Sequence, residues 1–253
     1  MATDVATSYK NLILADSPTF YLPCQEAAGA TTAVDASGNG YNFVESGTGD
    51  FGSVGPATGV TAYEITADQS WLVNTGLLDT LMWVHGQTLS LEGWYYHDVD
   101  ELEILIGSSG ADDVVWHVQA DNDVAWTADN SVTTNDATWT GGFPGTGQWV
   151  YMGVVFREAA DTAQLYVGLG VTSFTDHGST AAATPFGADP DEVRIGAFGA
   201  STVSAWNGRF CHVAGYANRE LTISEFRSHH KAMLKPPNTT KRRRTGQSVG
   251  YRL

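Results

Sequence analysis

Apolar residues in this chain come in short runs broken by Gly, Asn, Asp and Pro, and only the two ends carry a helical period. Val5, Tyr9, Leu12 and Ile13 fall three and four apart, which predicts a short amphipathic helix within Thr3 to Ala15. Pro18 closes it, because a residue before proline is pushed toward extended backbone. A strand over Phe20–Glu26 and a turn over Asp35–Gly40 follow; the Asn39-Gly40 pair suits positive φ. Further on, Thr88–Tyr96 alternates, with Leu89, Leu91 and Gly93 on one face and Ser90, Glu92 and Trp94 on the other.

The same reading gives strands over Leu102–Gly107, Val114–Gln119 and Asp123–Ala128. It gives a core hairpin from Gln148–Arg157 and Gln164–Leu169, then strands over Glu192–Phe198 and Arg209–Tyr216. Strands spaced this regularly, with no long helical pattern between them, predict an all-β, two-sheet antiparallel sandwich. One helix is marked near the end. Thr222 and Glu225 form a capping box, Phe226 and either His229 or His230 share a helix face, and Pro236-Pro237 stop the helix near Leu234.

A chain of 253 residues can fill one such sandwich. No stretch predicts a membrane helix: the longest uncharged run, Ala137 to Phe156, is interrupted by Gly141, Gly142, Pro144, Gly145 and Gly147. The N-terminus carries no basic-then-apolar leader, so conventional export is not expected. Charge is segregated. Residues 1–234 hold 7 of the 13 Lys+Arg and all 28 Asp+Glu; residues 235–253 hold the other 6 basic groups and no acid. The acidic body disfavours nucleic acid as a partner.

Ala15-Asp16-Ser17-Pro18, the aromatic strand with Tyr21, Glu26 and Asp35-Ala36-Ser37-Gly38-Asn39-Gly40 form one set of motifs. Ser90-Leu91-Glu92-Gly93-Trp94, Gly147-Gln148-Trp149 and Asn207-Gly208 form the rest. Together, over roughly Leu12 to Leu234, the chain resembles the laminin-G-like group of concanavalin-A-like jelly rolls. It departs from the family pattern at Leu22, where a Trp is usual, and at Cys211 and His212, where two acids are usual. The resemblance implies a jelly roll whose first and last strands pair. That pairing would bring Cys24 near Cys211, either as two buried thiols or as a disulfide. The fold carries lectins, glycanases and virion proteins alike. Signal-less chains of this type are similar to domains of tailed-phage structural proteins, which implies a virion location assembled in the host cytoplasm.

Four sets of residues could carry chemistry. Asp98 and Glu103 bracket an acidic segment that resembles the Glu-x-Asp-x-x-Glu strand of laminarinase-type hydrolases; the alternative is a solvated connecting loop. Asp35 and Asn39 offer the hard oxygens a calcium ion takes, and Asp112, Asp113, Asp121, Asn122 and Asp123 cluster in loops; Asx-turn capping explains Asp35 and Asn39 equally. Trp126, Trp139 and Trp206 stand beside polar loops and could stack on a sugar, or anchor those loops instead. The histidines show no metal-ligand spacing, and the adjacent pair His229-His230 points to different helix faces. Last is the arm, with Lys235, Lys241, Arg242, Arg243, Arg244, Tyr251 and Arg252 as partner-binding residues.

The sequence therefore reads as an N-terminal helical segment (1–17), a laminin-G-like jelly roll (18–234) and a basic C-terminal arm (235–253). The expected function is a non-enzymatic phage virion protein decorating a head or tail. Its arm would anchor it to other virion proteins and to copies of itself. The alternative is an adhesin for host-surface glycans, and the second alternative is a glycoside hydrolase. No membrane partner is expected.

Overall fold

The computed structural model describes residues 5–65, 70–76, 79–82, 87–99, 101–110, 115–127, 137–170, 173–181, 190–197 and 206–235. The chain opens with α1 (Val5–Ala15), β1 (Phe20–Leu22), β2 (Thr32–Ala33), β3 (Phe43–Ser46), β4 (Gly49–Val54), β5 (Thr61–Ile65) and β6 (Trp71–Asn74). The short α2 (Asp79–Met82) precedes β7 (Thr88–His97), β8 (Glu103–Gly110), β9 (Val115–Val118), β10 (Val124–Thr127) and β11 (Ala137–Trp139). Then come β12 (Trp149–Arg157), β13 (Thr162–Leu169), β14 (Ser173–Ala181), β15 (Pro190–Ile195), β16 (Gly208–Ala217) and α3 (Ile223–Leu234).

These strands form two antiparallel sheets, a jelly-roll sandwich. One runs β14-β13-β12-β7-β16-β5-β4, with β1 added to β16; the other runs β11-β10-β9-β8-β15-β6-β3-β2. The predicted hairpin of β12 and β13 is present, with Val150 opposite Leu169 and Arg157 opposite Thr162. First and last strands pair, Phe20 opposite Gly215 and Leu22 opposite Val213. Among the described residues no helix is long and apolar enough to cross a membrane.

Strand β7 is buried on both faces, from Leu89 to Tyr95. Its alternation therefore does not separate core from solvent: one face meets the second sheet, and the other is roofed by α1 and α3. The roof sits close. A Cβ on Gly153 would lie 2.5 Å from the Phe226 ring, and one on Gly168 would lie 2.4 Å from the His230 ring. Both helices form as the sequence predicts. α1 buries Val5, Tyr9 and Ile13, and α3 carries the capping box, with Thr222 Oγ1 accepting from Glu225 N at 3.3 Å.

Some boundaries differ from the sequence reading. β1 ends at Leu22 rather than Glu26, because Pro23 offers no N–H and Cys24 adopts a left-handed φ of 56°. The polar strand β14 and the three-residue β11 were not predicted, since neither has an apolar run. Cys24 and Cys211 are buried free thiols, not a disulfide; burial pushes both thiols well above their ordinary pKa. The predicted strand ends at Val114, Ala128 and Phe198 lie outside the described residues, as do Asp112 and Asp113.

Candidate functional site

The turn Asp35–Gly40 organises one end of the sandwich. Asp35 Oδ1 accepts from the amides of Tyr21 and Ser37, both at 2.9 Å. Oδ2 accepts from Tyr41 N at 2.9 Å and from the Ser37 hydroxyl at 2.7 Å. Asn39 Nδ2 donates to Thr19 O at 2.9 Å and to Pro18 O at 3.3 Å. Both Asp35 oxygens accept hydrogen bonds, and Asn39 Nδ2 stitches the turn to β1. Asx capping is what these residues do. No cluster of His, Cys, Asp or Glu suited to a metal occurs among the described residues.

Beside this turn lies a groove of about 570 Å³, inside the range of about 300–1,000 Å³ common for small-ligand sites. Ala6, Thr7 and Lys10 of α1 form one wall, and Pro23, Gln25 and Glu26 after β1 form another. Val34, Asp35, Ala36, Gly59 and His212 complete it. Val34 is 52% exposed, so an apolar surface stands open at the rim.

Most polar atoms of the lining are already committed. Gln25 Nε2 donates to Thr61 O at 2.7 Å and Pro23 O at 3.0 Å, while its Oε1 accepts from Thr61 N at 3.0 Å. Glu26 Oε1 accepts from Val34 N at 2.8 Å. Glu26 Oε2, however, is shielded from water and has no hydrogen-bond partner. His212 is fully buried at a bulge in β16, with φ 53°. Its Nδ1 lies 2.5 Å from the Tyr21 hydroxyl, and the Tyr9 ring meets its own edge-on at 4.7 Å. Its Nε2 is also without a partner. Burial pulls His212 down to about 3, so the imidazole is neutral, and it pushes the Tyr21 phenol well above 10.

The sequence-predicted sites fare differently. Trp126, Trp139 and Trp206 are 0%, 5% and 1% exposed, which corrects their assignment as sugar-stacking residues. Trp126 stacks on Phe156 at 5.0 Å, the Trp139 indole donates to Gly178 O at 3.1 Å, and Trp206 stacks on His97 at 5.1 Å. Large aromatics beside polar loops are pulled into a sandwich core because burying them gains the most apolar area. The segment read as a solvated loop is corrected in part. Asp98 is exposed and faces Arg209 at 3.7 Å, whereas Glu103 is buried at the start of β8, 3.0 Å from His97 Nε2. Burial pushes the Glu103 carboxyl up, partly countered by His97. The two acids take separate partners. Lys235 is exposed at the end of α3; Lys241, Arg242, Arg243, Arg244, Tyr251 and Arg252 lie outside the described residues.

Sequence reasoning missed the groove, because His212, Glu26 and Lys10 meet only through the pairing of β1 with β16. It also missed a buried polar assembly under the roof. Glu92 there receives the Tyr151 and Tyr216 hydroxyls and His229, which in turn reaches Asp16. The available signal was a lone acid in the apolar strand Leu89–Tyr95 and a histidine on the buried face of α3.

No family model and no curated protein matches the sequence. Solved structures do. The binding domain of botulinum neurotoxin DC in complex with SialylT shares 11% identity over 87% of this chain and 52% of that chain, with a TM-score of 0.56. The botulinum neurotoxin serotype C1 binding domain shares 12% over 87% and 53%, with a TM-score of 0.59. A complex of the DC binding domain with rat synaptotagmin II shares 10% over 87% and 52%, with a TM-score of 0.57. These likenesses establish the sandwich fold, and the chain spans about half the length of the structures it matches.

Proposed function

We propose that this chain is a carbohydrate-recognition module that binds through the groove between α1, the segment after β1, and His212. The observation that carries the reading is a groove of small-ligand size that pairs an apolar wall with exposed polar side chains at Thr7 and Lys10. The apolar part, from Ala6, Pro23, Val34 and Ala36, suits the C–H face of a sugar ring. The neighbouring structures lend support: one is the botulinum neurotoxin DC binding domain in complex with SialylT, and another belongs to botulinum neurotoxin type C, whose cell entry is dependent upon interaction with two ganglioside molecules. Those properties belong to binding domains about twice as long, so the reading rests first on the groove.

A glycan array probed with the full chain tests it, followed by titration of a positive glycan against Thr7→Trp, which fills the groove from the exposed face of α1. Retention of at least one glycan class, lost in the variant, is expected. An array with no retained glycan, or binding untouched by Thr7→Trp, overturns the reading.

A second reading is favoured by the charge segregation: 28 acids in residues 1–234 and six cations without an acid in residues 235–253. On it, the protein decorates a virion surface and Lys241–Arg244 tethers it to other virion proteins or to an acidic neighbouring copy. This reading rests on sequence alone and is compatible with the first. Removing residues 235–253 would abolish particle association while leaving the fold intact; a truncated protein that still docks sinks it.

A further inference from the structure

A second groove, of about 490 Å³, adjoins the first at Gly59, which lines both. It follows the β4–β5 hairpin, with Ser53, Val54, Ala57, Thr58 and Thr61 among its walls. The two grooves meet at a further point. Gln25 of the first and Thr61 of the second exchange hydrogen bonds: Gln25 Nε2 donates to Thr61 O at 2.7 Å, and Thr61 N donates to Gln25 Oε1 at 3.0 Å. Gly59, at φ 81°, has no atom within 4 Å of an added Cβ, so the junction is clear where a side chain would stand. Four large apolar side chains are exposed among the described residues; Val34 stands on the first groove and Val54, 73% exposed, on the second.

Resting on the carbohydrate reading above, we infer that the two grooves are one cleft, which takes a run of sugar units within an uncharged glycan chain rather than a lone terminal sugar. Each groove alone lies within the about 300–1,000 Å³ of a small-ligand site, so a single sugar occupies one and leaves the other empty. Val34 and Val54, one to each groove, offer apolar contact to the C–H faces of separate rings. Thr7, Lys10 and Thr58 are exposed on the walls and offer hydroxyl and ammonium groups to sugar hydroxyls. The second groove carries no ionisable side chain, so a charged ligand group finds no ion-pair partner there. An extended peptide fits less well. It would add by pairing with a strand edge, and at Thr61 the backbone N–H and C=O are already taken by the Gln25 side chain.

The test is a titration of the full-length, 15N-labelled chain with gluco-, manno- and galacto-oligosaccharide series running from monosaccharide to hexasaccharide. The amides of Thr7 and Lys10 report on the first groove, those of Gly55 and Thr58 on the second, and that of Gly59 on the junction. At least one series should tighten by about tenfold or more between monosaccharide and tetrasaccharide, with the Gly55 and Thr58 signals moving only for the longer members. Thr58→Trp fills the second groove from an exposed loop position. It should return the longer sugars to the affinity of the monosaccharide and leave the monosaccharide unchanged, with its fold checked by the amide spectrum away from the hairpin. Sugars that bind the first groove equally well at every length, or long sugars indifferent to Thr58→Trp, overturn the extended cleft and leave the carbohydrate reading standing. Absence of any shift in either groove with every series overturns both.

Discussion

His229 Nδ1 lies 2.9 Å from Glu92 Oε2, inside the roof that α1 and α3 make over β7. Its other nitrogen, Nε2, lies 2.8 Å from Asp16 Oδ2, just past the end of α1. Both ring nitrogens face carboxylates, and bonding both requires two N–H groups, so the ring is an imidazolium. Asp16 continues the chain of charges to Arg219 at 2.7 Å, and Arg219 reaches Glu225 at 3.0 Å in the first turn of α3. One protonated histidine thus ties the central strand, the end of α1 and the body of α3.

Removing the acid should cost more than the bonds it makes. Glu92 accepts from Tyr151, Tyr216 and His229, all buried. Glu92→Ala leaves a buried cation and two phenols without their acceptor, and should destabilise the fold by about 3–5 kcal/mol. Glu92→Gln retains the acceptor oxygen and should cost less. Urea unfolding of the pair against the parent measures this; equal losses for both variants would show that an acceptor oxygen without its charge contributes nothing.

The assembly also fixes a pH dependence. Burial pulls His229 down, but the charges and hydrogen bonds of Glu92 and Asp16 more than offset it, leaving the folded pKa above 6.5. Its contribution is therefore complete below about 6.5 and is lost as pH rises through the folded value. Burial pushes Glu92 up, but His229, Tyr151 and Tyr216 outweigh it and hold the folded pKa below 4.5. Its contribution is complete above about 4.3 and is lost as pH falls through the folded value. Buried His212 and His230 act oppositely to His229: their folded values fall to about 3 and about 4, so stability declines as pH drops below their unfolded values. The difference in melting temperature between parent and His229→Gln isolates the first effect. It should be largest near pH 5–6 and shrink toward alkaline pH, and a difference that grows with pH contradicts the imidazolium.

How far the sequence was legible follows from the same residues. Periodicity located α1, α3 and the long central strands because each carries an uninterrupted apolar set, such as Leu89, Leu91 and Tyr95. It could not say that the Ser90–Glu92–Trp94 face is buried too, because the roof that buries it comes from residues some 80 and 140 positions away, at Tyr9 and at His229 and His230. The disposition of the tryptophans failed for a related reason: a polar neighbour in sequence says little about which way an indole points. The groove was illegible because its polar atoms are contributed by β16, α1 and the segment after β1, which only the sheet pairing unites.

The buried tryptophans yield a separating prediction. Trp206 packs against Tyr95 at 5.6 Å, His97 at 5.1 Å and Phe143 at 6.4 Å. Trp206→Ala should lose about 3–5 kcal/mol of stability. Glycan affinity, measured well below the variant's melting temperature, should stay within about twofold of the parent, a change of only about 0.4 kcal/mol. A selective loss of binding with stability unchanged would restore Trp206 as a contact residue.

The closeness of the roof gives the last prediction. Gly153 on β12 faces α3 and admits the Phe226 ring where a side chain would stand: its added Cβ would come within 2.5 Å of Phe226 Cε1. Phe226 is buried and also meets Tyr166 at 4.8 Å, so it has little room to withdraw. Gly153→Ala must therefore lift α3 or turn the ring out, at a cost of about 1–3 kcal/mol. Lifting α3 would draw His229 away from Glu92 and weaken the imidazolium tie as well. Gly153→Ala and His229→Gln should then be non-additive, the double variant losing less than the sum of the singles. Strict additivity in a double-mutant cycle would show that the ring adjusts locally and that the helix stays in place.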